Sequence, residues 1–254
     1  MEKNVMRSIS LIIVIVFLFS CETEKKQPTA DEVIDTAIAE ACSGNCEDAT
    51  ITFTFRDKDY RSERSNGRFQ LERLFIDSIG RVRDVLNNEG FTRYVNDSVV
   101  TLVDSSERIF GDAVNSVHYF AQLPFGLNAR AAKKKLLGKD TIKGKAYFEI
   151  QVTFAEEGGG TDFEDEFLYW IHTEDFTVDY LAYRYHTEGG GIRFREAYNP
   201  RTIEGIRFVD YKNYKTDSLS IPLQQLDEKF EKGALPLLST IETENVSVSL
   251  PKKN

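Results

Sequence analysis

The chain has 254 residues, with 32 Lys and Arg against 41 Asp and Glu, and a formal net charge of −9. This acidic balance argues against binding to nucleic acid or to anionic headgroups, because phosphates are held mainly by clustered Lys and Arg. The 41% hydrophobic and 12% aromatic content also excludes a disordered chain and predicts a substantial core.

Residues 1–20 are organised like a bacterial lipoprotein signal. Lys3 and Arg7 precede the apolar segment 11–19, and Leu18-Phe19-Ser20-Cys21 forms the cleavage box. The apolar segment is shorter than the roughly 20 residues of a membrane-spanning helix. We therefore predict cleavage before Cys21 and acylation of its thiol, by chains such as palmitate, which anchor the protein to a membrane. An ordinary cleaved signal is the alternative interpretation.

The remaining chain is predicted to be a tether, residues 21–28, followed by one domain, residues 29–254. Cys42 and Cys46 lie near the start of that domain, separated by Ser43-Gly44-Asn45. Gly44 and Asn45 allow the backbone to turn, and export implies an oxidising compartment, so we expect a local disulfide. Two free thiols or a redox pair are the alternatives, although a redox motif has two intervening residues.

The first elements follow from changes in periodicity. Thr29 and Glu32 have capping-box spacing, and apolar residues at helical intervals predict a helix from about Thr29 to Cys42. The period changes to two over residues 50–55, which indicates a strand with one buried face. Asn66-Gly67 predicts a hairpin. Strands are expected at residues 60–65, 68–75, 82–86, 91–95 and 99–103.

Helical spacing returns in the middle of the chain. Val114 to Ala121 predict a helix that Pro124 ends, and residues 128–137 are expected to add a helical turn or two. This part is interpreted as a lid or side layer. Strands are then expected at residues 147–154, 166–172, 178–186, 192–198, 206–214 and 246–250, with a helix at 222–232. The fold class is therefore α+β, with one large curved antiparallel sheet and about three helices.

The sequence contains no common catalytic motif, so no catalytic residue, metal ligand or cofactor is predicted. His186 is expected to approach Glu164 if the strands before and after Asp175 pair, which provides an ion pair or two metal ligands at most. The acidic residues 162–166 lack the spacing of a calcium loop and are typical of a solvated strand end.

Aromatic and aliphatic side chains on neighbouring strands are the main candidates for ligand binding. In an open half-barrel they line an apolar groove, and in a closed sandwich they are ordinary core. The candidate cavity residues are Phe53, Phe55, Phe69, Phe148, Ile150, Phe167, Tyr169, Trp170, Tyr183 and Phe194.

Several strand motifs resemble a known family. They include Thr52-Phe53-Thr54-Phe55-Arg56, Tyr169-Trp170-Ile171, Asp179-Tyr180-Leu181-Ala182-Tyr183, Arg195-Glu196-Ala197-Tyr198-Asn199 and the segment from Gly205 to Tyr211. Together with the Cys21 box, they are similar to uncharacterised bacterial envelope lipoproteins that belong, or lie close, to the superfamily of the lipoprotein carrier LolA and its partner LolB.

The resemblance implies an incomplete β-barrel whose open side is covered by helices around a hydrophobic cavity. The expected function is non-enzymatic binding of a lipid, acyl chain or lipoprotein by an envelope protein anchored at the outer membrane, on its periplasmic or surface face. The alternative is a structural or interaction lipoprotein with a filled core that binds a protein or glycan partner.

Overall fold

A computed structural model describes residues 27–160 and 163–252. The predicted signal, Cys21 and most of the tether lie outside these residues. The helices are α1 (Ala30–Cys42), α2 (Asp104–Ala121) and α3 (Leu226–Glu231). The strands are β1 (Ala49–Phe55), β2 (Lys58–Ser65), β3 (Arg68–Asp77), β4 (Gly80–Asn87), β5 (Gly90–Val95), β6 (Ser98–Val100), β7 (Ala132–Ile142), β8 (Lys145–Phe154), β9 (Glu166–His172), β10 (Val178–Tyr185), β11 (Gly191–Ile203), β12 (Ile206–Lys215), β13 (Leu237–Ile241) and β14 (Glu244–Ser249).

Within the described ranges these strands form two seven-stranded antiparallel sheets. Sheet A has the order β14-β1-β2-β3-β4-β5-β6, and sheet B has the order β13-β12-β11-β10-β9-β8-β7. Only residues 242–243 separate β13 in sheet B from β14 in sheet A, so the two sheets meet at this edge. At the other end, α2 connects β6 to β7 across the open side. None of the helices in the described part is long and apolar enough to span a membrane.

The predicted α+β class, with antiparallel strands and helices over the open side, is confirmed. The strands belong to two sheets rather than to one hydrogen-bonded sheet. The reason is that the chain leaves β6 after three residues, forms α2 and returns as the opposite edge of sheet B. The barrel is consequently incomplete between β6 and β7.

The first helix begins and ends as the sequence predicts. Glu32 donates its backbone N–H to the Thr29 hydroxyl at 3.2 Å, and the Glu32 carboxylate accepts the Thr29 N–H at 2.7 Å, which completes the capping box. At the other end, Cys42 and Cys46 form a disulfide with Cα atoms 5.3 Å apart. Asn45 then donates to the Glu204 carbonyl at 2.9 Å, so the end of α1 is connected to the turn between β11 and β12.

The core consists of three clusters of buried side chains. The first contains α1 residues such as Val33 and Ile34 packed on one face of β8, β9 and β10. The second lies on the opposite face of sheet B under α3, around Trp170. The third joins the two sheets near the disulfide, where Phe53 of β1 packs with Phe208 of β12. Sheet B is therefore covered on both faces.

The structure corrects three local predictions. Residues 128–137 were expected to contain a helical turn or two, but β7 begins at Ala132, because pairing with β8 overrides the helical propensity of its Lys and Leu residues. The strand predicted at 99–103 ends at Val100, since α2 begins ten residues before Val114, at Asp104. Strand β13 was not predicted.

Candidate functional site

Helix α2 lies between the two sheets and contacts both of them. It packs against β3, β4 and β5 of sheet A, while Tyr119 and Phe120 at its C-terminal end pack on sheet B. Two arginine–phenylalanine stacks hold it. The Arg93 guanidinium lies 3.5 Å from the Phe110 ring centroid on the side of sheet A, and the Arg195 guanidinium lies 3.9 Å from the Phe120 centroid on the side of sheet B. Each stack is a cation–π contact.

The face of sheet B beneath α2 is rich in aromatic rings. We call Phe154, Phe167 and Tyr183 the inner aromatic face, on which Tyr119 and Phe120 of α2 pack. The Phe167 and Tyr183 rings stack with centroids 5.6 Å apart, and Phe120 lies 5.2 Å from Tyr183. All of these rings except Phe167 are only half-buried. The rings thus form a continuous surface between the interior and the edge of α2.

Tyrosine hydroxyl groups lie deeper in the same region. Tyr119 and Tyr169 share a hydrogen bond of 2.6 Å between their hydroxyl oxygens. Burial raises the pKa of both phenols well above the usual value, and it raises the pKa of Tyr211 to about 12. All three hydroxyls therefore stay neutral at physiological pH, and none supplies negative charge.

Arg195 on β11 is the charged group of this region. Its Nη2 donates to the Tyr183 hydroxyl at 2.7 Å, and its guanidinium carbon lies 5.0 Å from the Tyr183 ring centroid and 5.8 Å from that of Tyr211. The sequence prediction did not include Arg195. Its position in the strand alternation was a usable signal, because Arg195 occupies the face opposite Phe194 and the same face as its cross-strand neighbour Leu181.

The ten predicted cavity residues do not share one space. Phe148, Ile150, Phe167, Tyr169 and Tyr183 belong to, or pack against, the first cluster. The others lie elsewhere: Trp170 and Phe194 are in the second cluster, Phe53 is in the third with Phe55 packed against it, and Phe69 is half-buried on β3.

Trp170 and Phe194 are separated from the other residues by the geometry of the strands. Successive side chains of a strand point to opposite faces, so Tyr169 and Trp170 cannot line the same surface of β9. On the outer face the Phe194 ring packs 4.9 Å from Phe230 of α3 and 5.5 Å from Trp170. A ligand bound beneath α2 would therefore contact five of the ten residues at most.

Two cavities are best defined in the described part of the structure. One of about 350 Å³ is an open cleft, and one of about 100 Å³ lies beside Phe176 and Pro124. The larger cleft is lined by Lys143, Lys145, Tyr147, Asp179, Tyr180, Ala197, Tyr198, Pro200, Arg207 and Val209. Neither is lined by a predicted cavity residue, and Tyr119 and Phe120 of α2 pack directly on the inner aromatic face.

The histidines occupy three separate environments. His118 of α2 is buried, with Nε2 3.0 Å from the Glu72 carbonyl oxygen, and burial lowers its pKa to about 4. His172 lies 3.3 Å from Asp175. His186 lies 3.7 Å from Asp165, next to the predicted partner Glu164. Among the described residues, no group of three His, Cys, Asp or Glu side chains is placed to hold a metal ion.

The fold and this site define an α+β protein of two antiparallel sheets, in which a helix covers an aromatic face. The chain belongs to a family of unknown function, DUF6503, whose model matches residues 7–243. No curated protein matches the sequence.

Several solved structures are similar. A DUF1329 family protein from Desulfovibrio piger is 11% identical with a TM-score of 0.53, over 87% of this chain and 93% of that chain. A LolA superfamily protein from Nitrosomonas europaea is 12% identical with a TM-score of 0.49, over 90% of this chain and 96% of that chain. A Vibrio parahaemolyticus domain described as a putative outer membrane lipoprotein-sorting protein is 8% identical with a TM-score of 0.44, over 79% of this chain and 97% of that chain. The DUF1329 protein shares the fold, and the LolA superfamily is the one that the strand motifs resemble.

Proposed function

We propose that this protein is a membrane-anchored envelope lipoprotein that binds a hydrophobic ligand, a lipid or an acyl chain, between the inner aromatic face and α2. One observation carries the proposal. Helix α2 has 18 residues but buries only Gly111, Val114 and His118, and its C-terminal Tyr119 and Phe120 pack over the largely half-buried inner aromatic face. A cover with few buried side chains is easily displaced, as lids over binding sites are.

Displacement of α2 would exchange one set of apolar contacts for another. An acyl chain that takes its place on the rings gains roughly 0.8 kcal/mol for each methylene removed from water. The rings of Phe154, Phe167 and Tyr183 would remain as the floor of the site. Binding needs no catalytic group, and we propose no reaction.

The anchor and the domain limits are part of the same proposal. The Cys21 box supports acylation, a tether over residues 21–28 and a single domain over residues 29–254. The envelope location, at the outer membrane, rests on this box and on the resemblance of the strand motifs. The tether would keep the aromatic face within reach of membrane lipids.

Native mass spectrometry of the purified mature protein, with extraction of co-purified lipid, tests the proposal. We expect a stoichiometric lipid on the wild type. Tyr183→Ala removes a ring from the inner aromatic face, and Tyr214→Ala removes a half-buried ring from the opposite face, next to Phe230. The first variant should lose most of the lipid and the second should retain it. Equal loss, or a wild type without lipid, would contradict the proposal.

A second candidate is a structural or interaction lipoprotein that binds a protein or glycan partner. The observation in its favour is the open cleft of about 350 Å³, in which Tyr147, Tyr180 and Tyr198 lie beside Lys143 and Arg207. Aromatic rings next to charged groups suit a polar partner better than an acyl chain. Cross-linking in cells that gave one defined protein neighbour, without extractable lipid, would favour this candidate.

A further inference from the structure

The guanidinium of Arg195 is buried without a counter-charge. Arg195 is only 7% exposed, and it lies on the middle of sheet B between Leu181 of β10 and Asn213 of β12. Nη2 donates to the Tyr183 hydroxyl, whereas Nε and Nη1 are buried and have no hydrogen-bond partner among the described residues. A buried polar group without a partner loses its hydration and gains nothing in return.

Arg93 provides a comparison within the same molecule. It is 9% exposed and also stacks on a phenylalanine of α2, but Asp84 accepts from its Nε at 2.6 Å and from its Nη2 at 2.9 Å. These two are the buried arginines of the described residues. The arginine on sheet A is paired with a carboxylate and the one on sheet B is not.

The neighbours of Arg195 do not supply the missing negative charge. Tyr169 and Tyr211 lie close enough to interact electrostatically with its guanidinium, and burial keeps both phenols neutral. Stacking on Phe120 offsets only part of the cost of desolvation. An anion from outside the chain would satisfy the two free donors.

We propose that Arg195 binds the oxyanion head of the hydrophobic ligand, and that the ligand is a single acyl chain ending in a carboxylate, a fatty acid. This inference rests on the proposed function and names its ligand class. With α2 displaced, the carboxylate meets Nε and Nη1 beside the Tyr183 hydroxyl, and the acyl tail lies along Phe167 and Phe154 toward the edge of the sheet. The positive charge of Arg195 then favours ligands with an anionic head over neutral ligands with the same tail.

Binding of three probes with the same tail tests the head-group preference: oleate, oleyl phosphate and oleyl alcohol, measured by calorimetry at alkaline pH. We expect the wild type to bind oleate about tenfold more tightly than oleyl alcohol. Oleyl phosphate distinguishes the source of the oxyanion. If it binds more weakly than oleate, the carboxylate assignment is supported, and if it binds more tightly, the fatty-acid assignment is overturned.

Arg195→Met should reduce the preference for oleate over oleyl alcohol to less than about twofold. Arg193→Met is the matched control, because Arg193 lies two residues away on the same face and donates to the Tyr185 hydroxyl at 2.6 Å. This control should retain the preference. Arg195→Lys keeps the charge and should retain part of the preference for oleate. It provides a second variant should the methionine variant fail to fold.

Stability separates an anion site from a structural role. Because the charge of Arg195 has no partner in the wild type, we expect the Arg195→Met variant to melt at the same temperature as the ligand-free wild type, or higher. A lower melting temperature together with unchanged head-group preference would overturn the inference. Equal binding of all three probes by the wild type would also overturn it, yet leave the proposed function intact. Failure of every probe to bind would contradict the proposed function itself.

Discussion

At the scale of single residues, buried titratable groups make the stability of this protein depend on pH. Burial of the imidazole lowers the pKa of His118 from 6.5 to about 4. The folded protein then binds fewer protons than the unfolded chain between these pH values, so the contribution of His118 to stability is present above pH 6.5 and is lost as the pH falls toward 4.

We predict that His118→Gln removes about 3 kcal/mol of this acid-induced loss, since one unit of pKa corresponds to roughly 1.4 kcal/mol. Urea unfolding at neutral pH and near pH 4 measures the difference. His186→Gln, which alters a half-exposed histidine, is the control and should leave the slope unchanged. A His118→Gln variant with the wild-type slope would show that this imidazole is charged in the folded state.

Asp227 in α3 has the opposite effect. Burial, with a hydrogen bond to Asp140 and the nearby charge of Glu149, raises its pKa from 3.8 to about 7. Its protonated form stabilises the folded state on the acid side, and this contribution is lost as the pH rises through 7. Asp227→Asn should therefore raise the free energy of unfolding by about 1–2 kcal/mol above pH 7, whereas the exposed control Asp217→Asn should not. Denaturant titrations at alkaline pH decide this, and a less stable Asp227→Asn variant would contradict it.

At the scale of elements, the C-terminal end of α2 packs over the inner aromatic face. Phe110 near its middle and Phe120 near its C-terminal end stack on arginines of different sheets, and the buried residues of the helix, Gly111, Val114 and His118, lie between them. Removal of the Phe120 stack should loosen the C-terminal half of the helix, where the Tyr119–Tyr169 hydroxyl bond and the His118–Glu72 contact remain.

We predict that Phe120→Ala increases amide hydrogen exchange in the second half of α2 by about tenfold, equivalent to roughly 1.4 kcal/mol of lost local stability. Phe230→Ala is the matched control, as Phe230 covers the other face of sheet B in α3. It should leave exchange in α2 unchanged. Mass-resolved exchange of both variants measures the effect, and equal protection of α2 in Phe120→Ala and the wild type would refute the role of this stack.

Local signals made much of the element order predictable. The capping box at Thr29, the Asn66-Gly67 turn with positive φ at both residues, and period-two alternation around Phe53 each have a local physical cause. Strand β7 has no such local signal. Its Lys and Leu residues favour a helix, and only pairing with β8 makes them a strand.

The candidate site was less predictable, because its composition depends on which sheet face each residue occupies and on where α2 packs. Alternation alone separates Tyr169 from Trp170, but nothing local shows that α3 covers one face, while α1 and the end of α2 cover the other. Alternation assigns Arg195 to the face of Leu181 but does not show that the guanidinium is buried there. Its burial follows from Phe120, 75 positions earlier, and contacts at such separation leave no periodic signal.

At the scale of the whole molecule, the junction between the sheets depends on a buried carboxylate. Asp210 of β12 is 3% exposed and accepts from the Thr243 N–H at 3.0 Å, from Arg201 at 3.1 Å and from Asn199 at 2.7 Å. Thr243 lies in the two-residue connection from β13 to β14. This one side chain therefore fixes the point at which the chain passes from sheet B to sheet A.

We predict that Asp210→Ala lowers the free energy of unfolding by about 3 kcal/mol, because it leaves the Arg201 guanidinium without its carboxylate. The double variant Asp210→Ala with Arg201→Met should recover part of the loss. Equilibrium unfolding in urea measures all three proteins. A single variant as stable as the wild type would show that the junction is held by backbone pairing alone.

The proposed function places an acyl chain between the inner aromatic face and α2. Photo-crosslinking of the mature protein with a fatty acid that carries a diazirine near its tail, followed by peptide mapping, locates the bound chain. We predict labels on Phe154, Phe167, Tyr183 and the C-terminal half of α2, which excess oleate removes. Labels confined to the open cleft around Tyr180 or to the α3 face, or labels that oleate does not displace, would contradict the account.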